Sequence, residues 1–384
     1  MINFYKINSY ILSKISKSSI NMHLISYKEQ KIILDEIYKN NFQENYISRS
    51  FCQYLCQKRL FEQNFLFLNF LSFFLVYGIL LFFRLYKKKI VKKRKVKIIY
   101  LGREGTIPKE FRKYQKKKLE NHFFLTEDDI RYFRENVLKN SKRQYYFSLK
   151  ILLKIALYRY NIEKYSPKIF LVTSEYSWTS SILTEFCEKN KIFHINYMHG
   201  DKAYYIRDSF FKFHRCYIWD EHYKILFCEL NADKNQFKII RYIDFIPKIR
   251  TNIKKESNTY YLQADETVEE VLKIIEILNT LKIKTGYNGK IRVHPVYTTD
   301  KIKSVIPADM LDIEKNIYLS IAKSNYIISK ASTVLYEAYC MKSGIVVIDD
   351  ITQGDKKYKY LKELKWISIF KPHQRLSKIL NDLN

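Results

Sequence analysis

Glycine, proline and cysteine are scarce in this sequence. Its 384 residues include only 8 Gly and 6 Pro, which excludes collagen-like, linker-like and turn-rich all-β chains. The six cysteines are Cys52, Cys56, Cys187, Cys216, Cys228 and Cys340. None has a CxxC spacing, and they are too few and too scattered for a disulfide framework, so we expect reduced thiols.

Two nucleotide-binding motifs and a balance of charge are also missing. The sequence has neither GxGxxG nor GxxxxGK followed by Ser or Thr. The motifs that usually identify dinucleotide-binding and P-loop folds are therefore absent. Acidic residues number 39 against 68 Lys and Arg, a net charge of +29. The lysine excess accompanies 33 Tyr and 26 Phe, a bias typical of A/T-rich genomes, so it indicates nucleic-acid binding only weakly. A hydrophobic content of 47% excludes a disordered chain.

One long apolar run stands out. Residues 64–83 carry no charge, and twenty helical residues span roughly 30 Å, the thickness of a bilayer core. A basic collar follows at 84–97, with nine Lys or Arg and no acid. This order predicts membrane association with the C-terminal side of the run in the cytoplasm. A spanning helix, a helix lying in the membrane interface and a buried helix of a globular domain remain open.

The rest of the chain alternates short apolar runs with helical patterns, which predicts an α/β fold with parallel strands. We expect two Rossmann-like halves preceded by a helical, membrane-associated N-terminal segment. The predicted boundaries are a helical region at 1–95, an N-terminal half at 96–250 and a C-terminal half at 258–384. Ligands of such folds bind at the carboxyl ends of the strands.

The first candidate site follows the apolar run 192–197. His199 and Asp201 can take a proton from a hydroxyl nucleophile, and Lys202 adds positive charge. A turn with a solvated histidine would give the same pattern. Arg292 and His294 end a strand in the other half, where an imidazole held before proline can donate to a phosphate.

A second group of candidates stands at other strand ends. Ser332 and Thr333 open a helix, and such an N-terminus suits phosphate oxygens, although plain helix capping needs only one of the hydroxyls. Glu337 shares a helix face with Thr333 and can reach a ribose. Glu175 is either a catalytic acid or simply an acid near a helix start. The other positions singled out are Gly102 and Gly105, in a loop after the first strand.

Together these motifs resemble those of bacterial GT-B glycosyltransferases. RVHP, followed by SKASTVLYEAYCMKSGIVVID, is similar to the His-Pro and Ser/Thr motifs of sialyl- and polysialyltransferases. YMHGDK resembles a turn of teichoic-acid glycerophosphotransferases. The acidic D/E-D/E-G motif of the sialyltransferases is absent, and Ala331-Ser332-Thr333 replaces a usual Tyr-Ser-Ser, which leaves the donor open.

The resemblance implies a metal-independent transferase that uses a CMP- or CDP-linked donor to build a capsule or lipopolysaccharide glycan. Its expected location is the cytoplasmic face of the bacterial inner membrane, as a single-pass or peripheral protein. In that interpretation His199, Asp201 and Glu175 are catalytic, and the loop Gly102–Gly105 faces the acceptor. The remaining candidates bind the donor nucleotide: Lys202, Arg292, His294, Ser332 and Thr333 meet its phosphates, and Glu337 reaches its ribose. The expected partners are the nucleotide-sugar donor, a glycan or lipid-linked acceptor and an anionic membrane surface, without nucleic acid. The alternatives are a non-catalytic GT-B-like scaffold of a membrane assembly and, less favoured, a nucleic-acid binder.

Overall fold

The computed structural model describes ten stretches of the chain: residues 25–60, 65–85, 95–102, 104–198, 200–245, 253–263, 266–295, 298–352, 355–366 and 371–382. The chain divides into two compact units. The first comprises Met1–His199 and Tyr204–Ile239, and the second comprises Gly200–Ala203 and Ile240–Asn384. The collar residues 86–94 lie outside the described residues.

The helices and strands of the first unit alternate after residue 95. Its helices are α1 Tyr27–Asn41, α2 Tyr46–Leu60, α3 Phe65–Leu85, α4 Lys109–Arg112, α5 Glu127–Tyr132, α6 Tyr145–Tyr165, α7 Ser180–Lys189 and α8 Glu221–Glu229, with a π-helix at Phe133–Leu138 and 3-10 turns at Glu104–Thr106, Ile206–Asp208 and Lys234–Gln236. Its strands are β1 Ile98–Tyr100, β2 Lys116–Lys118, β3 Ile169–Val172, β4 Phe193–Tyr197, β5 Arg215–Ile218 and β6 Phe237–Ile239.

These strands form one parallel sheet in the order β2-β1-β3-β4-β5-β6. The central strands are buried apolar runs, as expected for a parallel sheet covered by helices on both faces. Because β1 lies between β2 and β3, the direction in which strands are added reverses between β1 and β3. That position is the topological switch point of this sheet.

The N-terminal helices are part of the first unit. The Ser50 hydroxyl of α2 accepts a hydrogen bond from the Ile182 amide of α7 at 3.0 Å, and the Gln53 side-chain amide donates to the Glu175 carbonyl at 2.8 Å. Helix α3 packs along α6 through Leu68, Val76 and Leu80, which belong to the same core as the residues of α6.

The second unit repeats the same construction. Its helices and strands are β7 Ser257–Tyr261, α9 Val268–Thr285, β8 Asn288–Arg292, α10 Asp300–Lys303, α11 Ile317–Lys323, β9 Ser324–Ser329, α12 Thr333–Met341, β10 Ile345–Ile348, α13 Asp355–Glu363, β11 Gln374–Arg375 and α14 Leu376–Asp382, with 3-10 turns at Tyr242–Phe245 and Ala308–Met310. The parallel sheet has the order β11-β10-β9-β7-β8, so its switch point lies between β7 and β9.

The predicted α/β class with two parallel sheets is confirmed, and the six thiols are free. Several strand boundaries differ from expectation. Arg292 and His294 were both expected to end one strand, but β8 stops at Arg292 and His294 lies in the following loop. Strand β2 consists of three lysines, and a lysine-rich edge strand gives no apolar signal in the sequence. Strand β7 begins at Ser257, one residue before the predicted start of the C-terminal half at 258.

Candidate functional site

The switch point of the second sheet brings together several of the predicted residues. Strand β9 ends at Ser329, and α12 begins at Thr333 after a three-residue turn. Strand β7 ends beside it, and the Ser329 hydroxyl donates to the Tyr261 carbonyl at 2.8 Å. The N-terminus of α12 therefore opens at the carboxyl edge of the sheet, where ligands of open α/β sheets bind.

Ser332 and Thr333 both accept hydrogen bonds at this helix start. Ser332 is the N-cap, and its hydroxyl oxygen accepts the Val334 amide at 3.4 Å. The Thr333 hydroxyl oxygen accepts the backbone amide of Asp201 at 3.2 Å. Since each hydroxyl serves as an acceptor in these bonds, its proton remains available to a phosphate oxygen.

The turn Gly200–Ala203 belongs to the second unit, although it follows β4 in the sequence. The Asp201 carboxylate accepts the Lys202 amide at 2.8 Å, which closes the turn, and Lys202 is buried. Two candidate sites that stand 132 residues apart in the sequence, at Asp201 and Thr333, are thus in direct contact. His199 lies outside the described residues.

Arg292 and His294 lie at the end of β8, next to β7 in the sheet. The Arg292 guanidinium donates to the Asp312 carboxylate at 2.8 Å and to the Glu314 carbonyl at 2.7 Å. Arg292, which was predicted to bind phosphate, is therefore already paired with Asp312. The His294 amide donates to the Thr298 hydroxyl at 2.8 Å, which fixes the backbone of the loop after the strand.

Glu337 lies one turn into α12 and is held by a residue that the sequence did not indicate. The Tyr242 hydroxyl donates to the Glu337 carboxylate at 2.6 Å. Loss of water around this carboxyl outweighs the hydrogen bond and raises the pKa of Glu337 to about 7. At neutral pH this carboxyl is therefore poised to gain or lose a proton.

The raised pKa of Glu337 predicts a pH-dependent stability. Between the ordinary value of 4.5 and about 7, the folded state keeps a proton that the unfolded state has released. The free energy of unfolding should therefore fall by about 3 kcal/mol as the pH rises through this window. Urea unfolding of Glu337→Gln at several pH values should lack this fall. The control Glu276→Gln, at an exposed position on α9, should show the same fall as the wild type. If the unfolding free energies of wild type and Glu337→Gln change equally with pH, the pH dependence does not come from Glu337.

Two further residues at this edge were not among the predicted site residues. Lys330 directly follows β9, and its buried ammonium lies 2.9 Å from the Glu270 carboxylate and 4.0 Å from that of Glu266. The side-chain amide of Gln263 donates to the Ala331 carbonyl and thereby ties the end of β7 to the turn before α12. A lysine directly after an apolar strand was the available signal for Lys330.

The switch point of the first sheet holds the predicted glycine loop. Gly102 follows β1, and a Cβ atom there would lie 2.6 Å from the Tyr197 hydroxyl and 3.2 Å from a methyl carbon of Thr173. A side chain at this position is excluded by that close approach. Gly105 faces open space, so no such constraint acts on it.

Glu175 is buried in the first unit. Its carboxylate accepts the Asn196 side-chain amide at 3.1 Å, and Asn196 also accepts the Ser174 amide at 2.7 Å. Helix α7 begins only at Ser180, so Glu175 does not lie in the first turn of that helix. These contacts give Glu175 a part in fixing the loop after β3.

The two units are open parallel α/β sheets of the Rossmann-like class, each with polar residues at its switch point. No cluster of three or more His, Cys, Asp or Glu with the geometry of a metal site lies within the ten described stretches.

The chain matches no protein-family model and no curated protein. Seven solved chains are similar to it, among them a UDP-N-acetylglucosamine 2-epimerase from Rickettsia bellii. That similarity has a TM-score of 0.41 and 13% identity, and it covers 66% of this chain and 78% of the epimerase.

Proposed function

We propose that the chain is a GT-B-type glycosyltransferase that binds its nucleotide-activated donor in the second unit. The observation that carries this proposal is the contact between the Asp201 amide and the Thr333 hydroxyl at the N-terminus of α12. It joins the turn after residue 199 to a helix start at the switch point of a parallel sheet. Helix N-termini at such positions bind phosphate through free amides and the positive end of the helix dipole.

The roles of the residues follow from their positions. The Ser332 and Thr333 hydroxyls donate to the donor phosphates, which leave with increasing negative charge as the glycosidic bond to the nucleotide breaks. Asp201, or the neighbouring His199, deprotonates the acceptor hydroxyl. Glu337 and Tyr242 meet the sugar of the nucleotide. Arg292 and Lys330 are held in ion pairs, so we assign them to the framework of the site rather than to the phosphate.

The proposed class of product is a bacterial surface glycan such as capsule or lipopolysaccharide. The donor is CMP- or CDP-linked, and Gly102 and Gly105 are assigned to the acceptor. A GT-B-like scaffold without catalysis is the competing function. It is distinguished by nucleotide binding, since a scaffold has no need to retain a donor site.

A nucleotide screen on the full-length chain tests this proposal. Thermal unfolding in the presence of CMP, CDP, UDP or GDP should show stabilisation by one of them. In the double variant Ser332→Ala/Thr333→Val the affinity for that nucleotide should fall at least about tenfold, because two charge-assisted hydrogen bonds are lost.

A second cap variant separates binding from stability. Loss of the Ser332 cap destabilises α12 by about 1 kcal/mol whatever the function. Thr126→Ala removes a comparable N-cap, that of α5 in the first unit, where the hydroxyl accepts the Asp129 amide at 3.2 Å. This control should lose similar stability and keep its nucleotide affinity. No stabilisation of the folded protein by any nucleotide would contradict the proposal and favour the scaffold.

A further inference from the structure

Helix α3 presents an uncovered apolar surface. Among the side chains of α3 that the structure describes, four positions spaced four residues apart are deeply buried against the first unit: Leu68, Ser72, Val76 and Leu80. The other side is apolar and faces solvent, with Phe70 62%, Phe74 58% and Leu81 58% exposed. By length and composition, Leu66–Leu85 is long and apolar enough to cross a membrane. Only 22% of its most apolar stretch is buried, so it is not an enclosed core helix.

The packing of α3 argues against a simple membrane crossing. The buried stripe lies on α6, and the Asn69 side chain of α3 donates to the Arg143 carbonyl at 2.9 Å and accepts the Tyr146 amide at 3.1 Å. Helix α6 carries Arg159, whose guanidinium forms two hydrogen bonds with the buried carboxylate of Asp129. A spanning α3 would either lose these contacts or carry α6 with its charges into the bilayer. A helix lying in the interface keeps them.

A basic depression adjoins the exposed face of α3. It has a volume of about 460 Å³. Its lining includes Tyr77 of α3, Tyr145 of α6 and four cationic side chains from the residues just before α6. The cations are Arg134, Lys139, Lys142 and Arg143. Lys142 donates to the Asn41 side chain at 3.0 Å. Among the residues that the structure describes, no carboxylate pairs with Arg134, Lys139 or Arg143, and all three are exposed.

We infer that this surface, the exposed face of α3 together with the basic depression, docks on an anionic phospholipid bilayer with α3 lying parallel to it. The apolar side chains enter the acyl region, Tyr77 and Tyr145 lie at the level of the headgroups, and the three unpaired cations bind lipid phosphate. The occupant follows from charge complementarity, since a cluster of cations beside an apolar face matches an anionic headgroup above acyl chains. The inference is independent of the proposed function, and it adds contacts at 134–143 to those expected of the collar.

Flotation with lipid vesicles tests the headgroup site. The full-length chain is mixed with phosphatidylcholine vesicles that contain or lack phosphatidylglycerol, and binding should be markedly tighter to the anionic vesicles. The triple variant Arg134→Glu/Lys139→Glu/Arg143→Glu should bind the anionic vesicles at least about tenfold more weakly. The control triple Lys273→Glu/Lys282→Glu/Lys301→Glu makes the same charge change at exposed positions of the second unit and should bind nearly as the wild type does.

The apolar face is tested in the same assay. Phe70→Ser/Phe74→Ser/Leu81→Ser should abolish most binding to both kinds of vesicle, whereas Ile283→Ser, at a position 85% exposed in the second unit, should not. Equal binding by wild type and the Arg134 triple variant would overturn the headgroup site. Vesicle-bound protein should be released by alkaline carbonate, and retention in the membrane fraction would overturn the interfacial arrangement in favour of a spanning helix. Nucleotide affinity, measured on the same variants, should be unchanged.

Discussion

Alanine at Gly344 is expected to destabilise the second unit by about 3 kcal/mol. Gly344 stands between α12 and β10 with a φ of +66°, a region that costs an L-residue roughly 1–2 kcal/mol. An added Cβ would also lie 2.6 Å from the Ser324 carbonyl oxygen and 2.8 Å from that of Asn325. These oxygens belong to the backbone of β9, which cannot move without breaking the sheet, and overpacking of this kind costs roughly a further 1–3 kcal/mol.

Gly286 provides a control for the Gly344 variant. It has a similar φ of +75° at the end of α9, but an added Cβ would meet nothing within 4 Å. Gly286→Ala should therefore lose only the conformational part, about 1 kcal/mol. Urea unfolding, monitored by hydrogen exchange of the backbone amides in β9 and β10, measures the unfolding free energy of the second unit in both variants. Equal losses in the two variants would show that the close approach to β9 is not what requires glycine at 344.

Lys330→Met is expected to cost about 3–5 kcal/mol of unfolding free energy. The side chain of Lys330 is 2% exposed, and so is that of Glu266, whose carboxylate also accepts the Gln263 amide. Removal of the ammonium takes the cation away from beside this buried carboxylate, which is far more costly than loss of an exposed pair. Because Gln263 in turn bonds the turn before α12, nucleotide affinity should fall along with stability.

A double variant tests the cause of that loss. Glu266→Gln in the Lys330→Met background removes the negative charge of the buried carboxylate. It should restore at least about 1.5 kcal/mol of the lost unfolding free energy. Lys303→Met removes an exposed lysine that pairs with Asp300 on α10, and it should change stability by less than about 0.5 kcal/mol. A loss below about 1 kcal/mol in Lys330→Met itself would contradict the buried-charge explanation.

Local sequence patterns predicted most of the strands and long helices. The apolar runs at 169–172 and 345–348 are strands because continuous β-branched and apolar residues suit a sheet buried on both faces. Helix α9 carries a strong local signal, because it begins with a capping box in which the Thr267 side chain accepts the Glu270 amide. Strand β2 was missed because its three lysines are stabilised by pairing with β1, not by their own pattern.

The candidate site was predictable only in part. The positions of Ser332 and Thr333 at a helix start followed from the sequence, because a strand followed by a hydroxyl residue and an apolar helix is a local signal. The ion pair between Arg292 and Asp312 could not be predicted, because the two residues are twenty positions apart and come together only when the intervening loop folds. Burial of Glu175 and the bond from Tyr242 to Glu337 were likewise invisible, since neither partner can be identified from spacing along the chain.

The sequence by itself determined the α/β class, the long apolar helix and the hydroxyls that open α12, because each depends on residues close together in the chain. It also determined the free cysteines, because they are too few and too scattered for a disulfide framework. Only the tertiary structure decided that the Asp201 amide meets Thr333, that Lys330 is buried between two carboxylates, and that α3 has one packed and one exposed face. The physical reason is that strand order and helix packing set which distant side chains share a space, and burial then fixes their charge and their partners.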